Sequence, residues 1–207
     1  WRFSRSAYYS VVSALPLLVV YEILVIMTQS RYWGIRNAAD MWIRTFLMAF
    51  DLRAQHLTFV MIGIAFALIP VAKTRSYGVK LKANFFLLML AEAFTYSLVL
   101  GGVLQSILRL SGLAAGGLGN GALQNFALSL GAGLFEEIIF RVFLLNLLFF
   151  LLNYIFKNKV TTAVISVLAA SFLFSLSHYI GSMADSWELY SFMFRWIAGM
   201  IFTVLYF

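Results

Sequence analysis

The chain has 207 residues, of which 63% are hydrophobic and 11% charged, with a mean hydropathy of +0.92. Soluble domains are about half apolar and a quarter charged, so this composition excludes a water-solvated core and makes lipid the solvent for most of the surface. Cysteine is absent, which excludes disulfides, thiolate metal sites and a cysteine nucleophile, and the net charge of +7 sits mostly on cations between apolar runs, a membrane-flank pattern that argues against a nucleic-acid partner.

Six apolar runs approach the roughly 20 residues that a helix needs to cross the hydrocarbon. The first, Ala7 to Met27, carries Pro16 and Glu22, and the second, His56 to Ala72, is slightly short. Between them Asn37 to Asp51 differs in kind. Asn37, Asp40, Arg44 and Asp51 fall on one helical stripe, and Met41, Trp42, Phe46, Leu47, Met48 and Phe50 cover much of the remainder. That pattern fits an amphipathic helix in the headgroup region, or an ordinary packed connecting helix. The third span, Ala83 to Ile107, carries Glu92. Ser111 to Gly121 is glycine-rich, but it lacks the GK[ST] of a phosphate loop and reads as a mobile connection. The fourth span, Asn125 to Phe156, is long enough to tilt or project. The fifth is Val160 to Ile180, and the sixth begins near Ser191.

Backbone polar groups in lipid must be paired within their own segment. The expected fold is therefore all-α: a polytopic transmembrane bundle of about six spans plus one interfacial amphipathic helix, forming a single membrane domain over residues 1–207. Both ends read as trimmed, because the chain starts at Trp1 and stops at Phe207 inside an apolar run, and the first apolar run does not read as a cleavable signal peptide. With the N-terminus cytoplasmic, eight cations fall inside against five outside, a slim margin under the positive-inside rule.

Ionisable residues inside a span cost about 2.5–3.5 kcal/mol each at the helix centre. The fourth span holds three within six residues, Glu136, Glu137 and Arg141 in LFEEIIFR. On an α-helix Glu137 and Arg141 share a face about 40° wide and can pair, whereas Glu136 points about 100° from Glu137 and about 140° from Arg141. Glu136 therefore needs a partner from another helix. The candidate is His178 in FLFSLSHYIG of the fifth span, where Ser171, Phe174, Ser175 and His178 share one face. The link at Lys157 to Lys159 is very short, so the two spans should be antiparallel neighbours. A carboxylate and an imidazole around one water make a general-base site for attack on an amide carbonyl. Other readings of these residues stay open: a buried structural Glu–Arg bridge, and a histidine that merely satisfies its hydrogen bonds.

Glu136-Glu137-Ile-Ile-Phe-Arg141 resembles the EExxxR motif of the CAAX-protease and bacteriocin-processing (CPBP, or Abi) family, and Phe174-Ser-Leu-Ser-His178 resembles its FxxxH motif. Phe194-Arg195-Trp-Ile-Ala-Gly199 is similar to the start of the family's next helix, and the family core falls at about 125–207. The resemblance implies an intramembrane endopeptidase in which Glu136 and His178 activate water, Glu137 and Arg141 support them, and Phe174 packs beside the site. It implies a membrane-associated or lipidated peptide or protein as substrate. The net basic flanks and absent cysteines fit a bacterial plasma membrane. The family's third motif, HxxxN or HxxxD, is not in the chain, since no histidine follows His178. It lies beyond Phe207 or this chain departs from the pattern, and an unsupported oxyanion costs roughly 3–4 kcal/mol in the transition state.

No cofactor is expected. Glu136, Glu137 and His178 could supply three zinc ligands, but helical spacing splays the glutamates, Arg141 competes for one of them, and neither HExxH nor HxxEH occurs. Glu22 and Glu92 are isolated carboxylates that could hydrogen-bond Tyr21, Thr95 or Tyr96 or serve substrate entry. Arg195 could reach the surface, pair with Glu188 or line a cavity, Gly131 and Gly133 allow close helix approach, and His56 is interfacial. Two rival functions compete with the peptidase: a non-catalytic scaffold or immunity protein, which would keep its phenotype when Glu136 and His178 are replaced, and a proton-coupled transporter, which would show flux without cleavage.

Overall fold

The computed structural model of the chain describes residues 6–28, 36–53, 56–110, 122–181 and 184–206. In chain order these form α1 (Ala7–Thr28), α2 (Ala38–Met48), α3 (Leu57–Arg75), α4 (Ala83–Leu110), α5 (Ala122–Gly131), a π-helical segment (Ala132–Leu145), α6 (Asn146–Phe156), α7 (Lys159–Ser177) and α8 (Leu189–Tyr206), with no strand among the described residues. Five helices are long and apolar enough to cross a membrane: α1, α3, the continuous run Leu123–Phe156, α7 and α8. At the place of the third expected span, α4 is helical over 28 residues, with Ala83–Tyr96 as its shorter apolar part. The chain is an all-helical integral membrane protein. The glycine-rich run Ser111 to Gly121 lies outside the described residues, as do Arg2, Arg5 and Arg31.

The helices sort into two compact units, Trp1–Ile35 with Leu47–Leu130 and Arg36–Phe46 with Gly131–Phe207. In the first, α1 packs on α3. Tyr9 is fully buried; its hydroxyl donates to the Lys80 carbonyl at 3.0 Å and accepts from the Lys82 N–H at 2.8 Å, while its ring meets Phe85 and Phe86. A buried phenol keeps its oxygen satisfied in this way and ties α1 to the start of α4. Glu22, buried on α1, accepts from the Thr58 hydroxyl of α3 at 3.0 Å. Thr95, considered as a partner for the isolated carboxylates, instead bonds its own helix at the Ala91 carbonyl, 2.8 Å away. His56 is exposed just ahead of α3.

In the second unit, α6 turns straight into α7. Lys157 takes left-handed backbone angles (φ 54°), and Asn158 then caps α7, its Oδ1 accepting from the N–H groups of Val160 (3.0 Å) and Thr161 (3.3 Å). So abrupt a reversal makes α6 and α7 neighbours, and α7 also packs on the π segment. The far side of α7 meets α8 through small and hydroxylated residues. Ser175 donates to the Phe192 carbonyl at 2.6 Å, Ser171 lies 3.4 Å from the Thr203 hydroxyl, and a Cβ on Gly199 would stand 3.0 Å from the Phe174 ring. Such residues let helices approach closely where lipid supplies no hydrophobic drive. Of the face expected to turn into protein, Ser171, Phe174 and Ser175 are buried and His178 is half-buried; Thr162 and Ser166 are buried as well.

The amphipathic helix is present as α2, with its polar stripe turned into the protein. Asp40 is 0% exposed, held by Arg36 (2.9 Å) and Arg44 (2.8 Å), each four residues away and itself buried. Phe46 faces outward. Asp51, assigned from sequence to the same stripe, is exposed past the helix end with φ 63°, a left-handed conformation that Asp tolerates.

Candidate functional site

All four sequence-predicted residues lie in the second unit. Glu136, Glu137 and Arg141 sit in the π segment, which alters their expected angular relations. The α geometry used for the sequence advances about 100° per residue. The wider i→i+5 ladder turns less per residue, so Glu136 and Arg141, five apart, come closer around the axis than an α-helix would put them. Runs of π geometry inside helices frequently mark functional sites.

Glu137 keeps the expected partner. Arg141 Nε stands 3.5 Å from Glu137 Oε1, an ion pair too long for a hydrogen bond. The two are unequally placed, with the arginine side chain 3% exposed and the glutamate 43%. The buried guanidinium is met by aromatic faces instead, 4.6 Å from the Phe174 ring centroid and 5.6 Å from that of Phe202. A desolvated cation on a ring face gains about 2 kcal/mol, which offsets part of its burial cost.

Phe174 is the hub of the cluster. Its ring is edge-on to Phe140 (5.1 Å) and to the His178 imidazole (5.0 Å), and its backbone carbonyl lies 2.9 Å from His178 Nδ1. A carbonyl oxygen only accepts, so Nδ1 carries the hydrogen, and the tautomer this selects has its lone pair on Nε2. The spacing of F-x-x-x-H therefore has a local cause: four residues back along α7, one residue supplies both the carbonyl and the ring that fix the imidazole. His178 itself ends α7, and Asp185 returns to donate its N–H to the His178 carbonyl at 2.9 Å. Arg195 pairs with Asp185 at 2.6 Å rather than with Glu188 and lies over the Tyr179 ring.

Glu136 and His178 line one small cleft, with Phe140 and Ser177 beside them and Ala38, Ala39 and Trp42 of α2 as the remaining wall. The cleft has a volume of about 20 Å³, and about 10–15 Å³ suffices for one water. The contact that sequence reasoning missed is Asn37, whose Nδ2 donates to Glu136 Oε1 at 2.9 Å. Its signal was present as the first residue of the polar stripe on α2, but nothing local links it to a glutamate 99 positions later.

A family model described as type II CAAX prenyl endopeptidase Rce1-like matches residues 118–207. No curated protein and no solved structure matches the chain.

Proposed function

We propose, from the match of residues 118–207 to the type II CAAX prenyl endopeptidase Rce1-like model of the CPBP group, that this chain is a glutamate-type intramembrane endopeptidase acting on a lipidated or membrane-associated peptide. The observation that carries the proposal is that Glu136 and His178 line one cleft large enough for a water.

In this reading Glu136 removes a proton from water. His178 Nε2 accepts the water's other hydrogen and so orients it. The hydroxide attacks the amide carbon, the C–N bond breaks, and the protonated Glu136 returns its proton to the departing amine. One water is consumed: one of its hydrogens reaches the amine through Glu136, the other leaves the new carboxyl group for the amine, and the products are a carboxylate and an ammonium. Positioned general-base catalysis of this kind contributes about 10²–10⁴-fold. Glu137 and Arg141 hold the local field and the orientation of the segment. The amide already bound to Glu136 and the guanidinium beside Glu137 make the two carboxylates a poor joint ligand set for zinc.

The test uses the protein reconstituted in lipid with a quenched-fluorescent peptide bearing a prenylated tail. Glu136→Gln and His178→Ala should each lower the cleavage rate at least 10²-fold while the melting temperature is kept. Wild-type rates in either variant would defeat the proposal. The rate should survive exhaustive chelation; loss restored by zinc alone would replace the mechanism with a metal-based one.

A further inference from the structure

We infer that Asn37 is a positioning residue for Glu136, an inference that rests on the peptidase reading above and adds to it a residue outside the matched segment 118–207.

The geometry fixes what Asn37 can do. It stands at the N-cap of α2, and its Oδ1 accepts from the Ala39 N–H at 2.8 Å. A backbone N–H only donates, so the carboxamide oxygen is committed to the helix. The amide orientation is thereby set without ambiguity, and Nδ2 is the atom turned to Glu136 Oε1 at 2.9 Å. One small side chain caps a helix with one end and holds a carboxylate with the other.

The mount is rigid. Three residues on, the fully buried Asp40 bridges Arg36 and Arg44, so the residue before Asn37 and the second turn of α2 are tied to one carboxylate. Ala38 and Ala39, the next two residues, wall the same cleft as Glu136 and His178. A carboxyl group on a long, flexible glutamate stem has several rotamers, and only some would leave an oxygen facing that cleft. An amide anchored at both ends selects among them. Holding Oε1 fixes where both carboxylate oxygens stand, and misplacing such a group by about 1 Å costs on the order of 10²-fold in rate.

Ser, Asp and Asn cap helices about equally well, whereas Ala does not. Asn37→Ser keeps the cap and removes the reach to Glu136. Asn37→Asp keeps both cap and shape but sets an acceptor against an acceptor. Both should keep the melting temperature, leave KM unchanged and lower kcat, by roughly 10–100-fold for N37S and further for N37D. A pure capping role predicts another pattern, with N37A losing stability while N37S and N37D cleave like wild type. Isotope-edited infrared difference spectra should also show the Glu136 carboxyl band move in N37S and be missing from E136Q. Wild-type kcat in N37S beside an inactive E136Q would overturn this inference alone. A wild type that does not cleave, or an E136Q that does, overturns the inference together with the reading beneath it.

Discussion

Replacing Asp40 by Asn removes one charge from the middle of α2 and keeps its shape. Arg36 and Arg44, both buried, then lose the carboxylate they share at 2.9 and 2.8 Å. Removing one partner from a buried ion pair costs about 3–5 kcal/mol. Both guanidiniums are buried, so the middle of that range applies. About 4 kcal/mol is a factor on the order of 10³ in the docking equilibrium of α2, a large part of the 5–15 kcal/mol that typically separates folded from unfolded states. Hydrogen exchange of purified protein in lipid nanodiscs reads this directly. Amides of residues 38–46 should lose protection in D40N by about three orders of magnitude while those of α7 change far less. A second variant separates charge from contact: Arg36→Met, Asp40→Leu and Arg44→Met together should recover most of the protection, since apolar replacement of a whole buried network is often neutral or stabilising. Unchanged exchange of α2 in D40N would show that the triad does not hold the helix, and the reasoning would fail.

Two further outcomes follow from the contacts of Phe174. Gly199→Ala puts a Cβ 3.0 Å from the Phe174 ring and 3.3 Å from Ser171 Cβ; overpacking of about 1–3 kcal/mol should exceed the roughly 1 kcal/mol gained in helix propensity, and a raised melting temperature would contradict it. Phe174→Leu keeps the carbonyl that holds His178 Nδ1 but removes the ring under Arg141 and beside the imidazole. The ring pairs and the cation contact together suggest a loss of about 1–3 kcal/mol with a drop in kcat, readable as melting temperature and cleavage rate of the same preparation.

Much of the helical framework was legible because hydropathy and length are local properties. The first span was expected at Ala7 to Met27 and is α1, Ala7–Thr28. The fifth was expected to run to Ile180 but ends at Ser177, because the chain tightens into i→i+3 bonds at Ser175 to Ile180. The fourth hid its most distinctive feature. Hydrophobic periodicity presumes the α ladder, and a switch to π geometry over Ala132–Leu145 leaves the composition untouched. Of the site, the Glu137–Arg141 pair is local and was readable from four-residue spacing. Glu136 and His178 could be paired because a short turn joins their helices. Asn37 could not, since its contact with Glu136 is set by how α2 docks, and the stripe that carries it looks the same from sequence whether it faces headgroups or protein.

The match at 118–207 and the compact unit of Arg36–Phe46 with Gly131–Phe207 are different objects. Anyone trimming the protein to its recognisable segment would discard α2 and, with it, the amide on Glu136 and one wall of the cleft. The smallest fragment that preserves this site is discontinuous in sequence. Inventories of relatives built from the recognisable segment alone would compare glutamates and histidines while leaving out the piece that orients them.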